Sequence, residues 1–110
     1  MKRDLQLFLD DILESIELLE TYTKDLSHKK FLEDHQVQDA IIRRIEIIGE
    51  AIRYFPDEVQ EKYPEIPWRE VRGMRNYIAH EYFGINYDML WEVATKDIYE
   101  LKEQMLKIKL

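Results

Sequence analysis

Cysteine is missing from this chain. That excludes disulfide cross-links and thiol nucleophiles and suits a reducing compartment, so a cytoplasmic location is expected. Glycine and proline are scarce, with three of each in 110 residues. So few breakers leave little room for the many turns of a β fold and favour long helices. No apolar run approaches a membrane span, and the N-terminal MKRDLQLFLDD lacks the apolar core of a secretion signal. No membrane role is expected. Metal-ligand spacing is lacking as well. His28, His35 and His80 stand far apart, no HExxH occurs, and the adjacent Asp10 and Asp11 point in different directions on a helix. There is no Gly-rich phosphate loop. The expectation is therefore no metal and no cofactor.

Basic charge is in deficit, and the net charge is −7. Non-specific nucleic-acid affinity comes mainly from neutralising phosphates, so the total argues against a broad DNA-binding face. The distribution is more telling. Six of the seven arginines lie between Arg43 and Arg75, whereas the first twenty residues carry Asp10, Asp11, Glu14, Glu17 and Glu20. An acidic shell around an Arg-rich centre points to a local anion site. Most of these charges, taken singly, are ordinary solvated helix faces.

Hydrophobic content of 45% in 110 residues supports one domain, residues 1–110, with a single core. Leu5, Phe8, Leu9, Ile12, Leu13, Ile16 and Leu19 recur at helical spacing, which predicts a helix over 4–24. The segment 26–34 is polar and breaks the period, and Asp34 is placed to cap the next helix. That helix is expected over 35–55, with Val37, Ala40, Ile41, Ile45, Ile48, Ile52 and Phe55 inward and Pro56 stopping it. All three prolines fall in 56–67, a connector with one short helical turn. Pro67 suits the first position of a third helix over 68–82, and Gly84 suits a left-handed residue that ends it. Asn86 or Asp88 caps a fourth helix over 87–108, with Leu90, Trp91, Ala94, Ile98, Leu101, Met105 and Ile108 as its stripe. The expected fold is all-α, an antiparallel four-helix bundle.

The third helix carries the chemistry, in the run RNYIAHEY from Arg75 to Tyr82. On an ideal helix Arg72, Arg75, Asn76, Ala79, His80, Tyr82 and Phe83 share an arc of roughly 160°. Val71, Met74 and Ile78 fall on a separate apolar arc that must face the core. Arg75 and His80 would stand roughly 140° apart and roughly 7.5 Å apart along the axis. Fraying of the last turn would bring His80 inward. Tyr82, seven residues after Arg75, would return almost over it. A fixed guanidinium, a side chain that trades protons near neutral pH and a phenol are the parts needed to hold a phosphate and move a proton beside it. Whether His80 acts as acid or base is open at this level.

These residues resemble a HEPN domain of the HepT-type toxin branch. DAIIRRIEIIGEAIR (Asp39 to Arg53) is similar to the family's Arg-rich helix with its Gly-Glu-Ala turn. IPWREVRGMRNYIAHEYFGINYDMLWEV (Ile66 to Val93) is similar to the remainder, so the resemblance covers nearly the whole chain. The family pattern of Arg, a polar residue, His and then Tyr maps onto Arg75, Asn76, His80 and Tyr82. The resemblance implies a HEPN-like bundle and a metal-independent endoribonuclease acting as the toxin of a type VII toxin–antitoxin system. It implies catalytic roles for Arg75 and His80, with Asn76 and Arg72 supporting phosphate binding. It further implies a homodimer that joins two motifs, RNA as substrate, and a cognate nucleotidyltransferase antitoxin that adds AMP to Tyr82. Two other readings remain: a non-catalytic helical module that binds a nucleotide or the nucleotidyltransferase through the same stripe, and a structural adaptor in which Arg75 and His80 are replaceable.

Overall fold

The computed structural model describes residues 3–110. Met1 and Lys2, part of the expected single domain, lie outside the described residues. Among these residues the structure is helical without strands. Helix α1 spans Leu5–Thr23, α2 His28–Glu33, α3 His35–Ile52, α4 Asp57–Lys62 and α5 Trp68–His80. A 3-10 turn at Tyr82–Gly84 follows. Helix α6, Tyr87–Glu92, then runs through a π segment, Val93–Asp97, into α7, Ile98–Leu106.

The apolar stripes form the core. Ile12, Ile16 and Leu19 of α1, Ile41, Ile45, Ile48 and Ile52 of α3, and Leu90, Ala94, Ile98, Leu101 and Met105 of the last helix are all buried. Each fully buried Ile or Leu contributes about 1.5–3 kcal/mol relative to an exposed one. Helix α3 is the centre of the arrangement, with α1 on one side and α5 on the other, and α1 also packs on α7. Between α5 and α7 the bundle is open. A groove of 410 Å³ runs there past Ile48, Val71, Met74, Ile98 and Leu101.

Side chains close the helix ends. Asp4 accepts from Gln6 N, Asp34 from Val37 N and Asn86 from Met89 N, so three helices begin on an Asp or Asn cap. Pro56 and Pro67 precede α4 and α5 by one residue; neither is the first helical residue.

Several expectations need correcting. The polar stretch 26–34 is not a plain loop, because it contains α2. Ser27 caps this short helix, the buried Gln38 amide donates to the carbonyls of Phe31 and Leu32 at 2.9 and 3.2 Å, and Phe31 is fully buried. The Phe31 ring packs on Trp91, while His28 stacks on that indole and reaches Asp88 at 2.8 Å. A six-residue helix held by one anchoring ring leaves no periodic trace in the sequence. Helix α3 stops at Ile52, and Phe55 is buried beyond its end. Gly84 does not take the left-handed conformation; among the described residues the one positive φ is that of Asp25, after α1. Helix α5 ends at His80, two residues before the expected position.

Candidate active site

The site is built where α3 and α5 cross. Gly49 makes the crossing possible. A Cβ added there would lie 2.7 Å from Arg75 Cβ, 3.2 Å from Arg75 N and 3.2 Å from Val71 O. Any larger residue would drive the helices apart. The Gly-Glu-Ala segment is therefore not a turn. Gly49, Glu50 and Ala51 lie inside α3, and the glycine serves helix contact.

The next residue, Glu50, faces two guanidinium groups. Its carboxylate lies 3.5 Å from Arg75 Nε and accepts from Arg53 Nη1 at 3.2 Å. With Nε turned to Glu50, Arg75 keeps its terminal nitrogens for another acceptor. Arg53 also lies over the Tyr54 ring, 5.4 Å from its centroid. All these groups are partly exposed, so the ion pairs orient side chains and add little stability.

Two depressions flank Arg75. One, of 160 Å³, is lined by Gly49, Arg53, Arg72, Arg75 and Asn76. Three cations, an amide and a glycine form its wall, with no carboxylate among them. The other, of 250 Å³, mixes Arg3, Asp11, Arg43, Glu46 and Glu50 with Arg75. There Arg3 donates to Asp11 at 2.6 Å, and that hydrogen bond raises the guanidinium above the ordinary arginine value. Its carboxylates make the second depression a poor anion site.

The structure thus brings Arg72, Arg75 and Asn76 together and adds Arg53, which the sequence pattern did not single out. His80 is not in this group. It is the last residue of α5, exposed, and does not line the concavity. The last turn remains helical, so fraying does not bring His80 toward Arg75. Tyr82 lies beyond the helix. Glu81 leaves helical geometry at φ −116° and ψ 26°, and Tyr82 begins the 3-10 turn. The placement of Tyr82 over Arg75 on a continuous helix therefore does not hold. Its ring is exposed and meets the fully exposed Phe83 edge-on. The turn is fixed from both ends: Gly84 N donates to Glu81 O at 2.8 Å, and Asn86 N donates to the Tyr77 hydroxyl at 3.0 Å. Among the described residues no three His, Asp or Glu side chains gather as a metal site, and no helix is long and apolar enough to cross a membrane.

Comparison with known proteins adds the family. The family described as "Ribonuclease HepT-like" matches residues 12–108. A Methanocaldococcus jannaschii protein named "Gamma-glutamylcyclotransferase and putative RNase" is 52% identical over 98% of this chain, which spans 49% of that relative's length. A second protein of that organism, named "Putative RNase", is 42% identical over 94% of this chain and 95% of its own length. The "Probable ribonuclease HepT" of Thermococcus cleftensis is 42% identical over 99% of both chains. No solved structure gives a significant match. The chain belongs to the HepT-like ribonuclease family.

Proposed function

We propose that this protein is a metal-independent endoribonuclease and the toxin of a toxin–antitoxin pair acting in the cytoplasm. One observation carries the reading most: a concavity lined by three arginines and Asn76 borders the helix that ends in an exposed His80, whose imidazole makes no hydrogen bond among the described residues. Arg75 grips two oxygens of the scissile phosphate and stabilises the charge that builds on them. Asn76 orients one of those oxygens. A ribose 2′-hydroxyl attacks the adjacent phosphorus. The 2′-O–P bond forms, the P–O5′ bond breaks, the 2′-hydroxyl proton passes to a base and O5′ receives one from an acid. His80 supplies one of those two transfers.

A single chain offers one such histidine in the motif, and it does not line the Arg75 concavity. A C2 homodimer that pairs two α5 helices supplies both histidines and brings each near a partner's Arg75. The exposed Tyr82 is the residue we assign to modification by a nucleotidyltransferase antitoxin. Its AMP would add bulk and negative charge just beyond the end of α5 that carries His80.

The experiment is expression in a bacterium. The protein alone should arrest growth, the His80→Ala protein at the same level should not, and co-expression with a cognate nucleotidyltransferase should restore growth. Equal growth arrest by the His80→Ala protein would reject the assignment.

A further inference from the structure

The Arg-lined concavity is larger and more positive than one scissile phosphate needs. Its 160 Å³ compares with cavities of about 150 Å³ that hold a molecule the size of benzene. Arg53 comes from the end of α3, and Arg72 lies one turn before Arg75 on α5. The only carboxylate ion-paired with these arginines among the described residues is Glu50, which engages Arg53 and Arg75. Arg72 has no ion-pair partner there. Direction matters too. Along α5, Arg72 is about 4.5 Å on one side of Arg75, and His80 is about 7.5 Å on the other. A scissile phosphate gripped by the free terminal nitrogens of Arg75 therefore leaves Arg53 and Arg72 without an anion.

We propose that Arg53 and Arg72 hold a second phosphate of the bound RNA strand, next to the scissile phosphate held by Arg75 and Asn76. This rests on the ribonuclease reading. Two guanidinium forks from different helices converge on one depression, a geometry that suits a phosphate diester better than a lone surface arginine does. The helix crossing at Gly49 fixes their spacing. The subsite makes the enzyme prefer a strand with an additional phosphate over a dinucleotide, which has the scissile phosphate alone.

The test compares the wild-type protein with Arg53→Gln/Arg72→Gln, both exposed positions, one at the C-cap of α3 and one within α5. Cleavage of a dinucleotide and of a single-stranded ten-nucleotide RNA is measured for each. Binding of the same RNA is measured in the His80→Ala background by fluorescence anisotropy across a salt series, with free AMP as competitor. The subsite predicts that the double substitution lowers kcat/KM on the longer strand at least ten-fold more than on the dinucleotide. It also predicts weaker RNA binding, with the salt slope shallower by about 0.7, the loss of one single-strand phosphate contact. Equal losses on both substrates, or unchanged affinity and slope, would overturn it. So would AMP competing as well as the RNA, which would mark a free-nucleotide site. If the wild-type protein cleaves neither substrate, the ribonuclease reading fails, and the binding measurement alone decides the subsite.

Discussion

Gly49 of α3 and Arg75 of α5 touch without room for one more carbon: a Cβ on the glycine would stand 2.7 Å from Arg75 Cβ. The side chain best placed to hold a phosphate is therefore set by the residue type facing it. Arg75 is aimed by a helix crossing and then tethered through Nε to Glu50 at 3.5 Å.

Gly49→Ala separates packing from propensity. Alanine gains about 1 kcal/mol of helix propensity. The clash with Arg75 Cβ and two backbone atoms costs about 1–3 kcal/mol as the helices move apart. Stability should hold or fall modestly, while RNA cleavage falls at least ten-fold because Arg75 is displaced. Gly73→Ala is the counterpart. It sits on α5, with nothing within 4 Å of its added Cβ. It should gain about 0.5–1 kcal/mol in denaturant unfolding. A similar response at both positions would refute the role given to Gly49.

Ser15 sits fully buried in α1, and its hydroxyl has no hydrogen-bond partner among the described residues. A buried unsatisfied polar group costs about 1–3 kcal/mol. Ser15→Ala should therefore stabilise the fold by about 1 kcal/mol, read as a higher urea midpoint at unchanged slope. A loss of stability would mean that the hydroxyl is satisfied in solution.

The core was legible in the sequence because buried Ile and Leu repeat at helical spacing over nearly every turn. Ile41, Ile48 and Ile52 are all inward as expected. Caps were legible where an Asp or Asn precedes a stripe, as with Asp34 and Asn86. Helix α2 was not, since Phe31 alone anchors it. The π segment was not either, although the stripe hints at it: Leu90, Ala94 and Ile98 step by four and then four, a wider repeat than an α-helix turn, while Thr95 Oγ1 donates to the Trp91 carbonyl at 2.6 Å. At the site, the motif exposed Arg72, Arg75 and Asn76 because they lie close together on one helix. Arg53 and Gly49 come from another helix, and only the crossing reveals them. A glycine inside the apolar pattern of α3 was the one available signal of close approach. The end of α5 was misjudged because Gly84 suggested a cap, whereas the chain leaves the helix at Glu81.

Self-association follows from the exposed stripe on α5 and the lone His80. Light scattering should report a dimer at micromolar concentration. A stable monomer that still cleaves RNA at full rate would reject the two-histidine arrangement.

Modification should fall on Tyr82. The protein co-expressed with a cognate nucleotidyltransferase should gain the mass of AMP, and Tyr82→Phe should abolish the gain. Tyr77, whose hydroxyl accepts from Asn86 N, is the internal control, because that contact occupies it. A gain that persists in Tyr82→Phe would move the site elsewhere.

The most direct measurement is cleavage of a single-stranded RNA by the purified protein in excess chelator, alongside Arg75→Ala and His80→Ala. Both positions are exposed, so the helical circular dichroism of the variants should match the wild-type spectrum. The wild-type protein should cleave with chelator present, and each substitution should reduce the rate by about 100-fold or more. Cleavage that requires an added divalent metal, or full activity in either variant, would contradict the account.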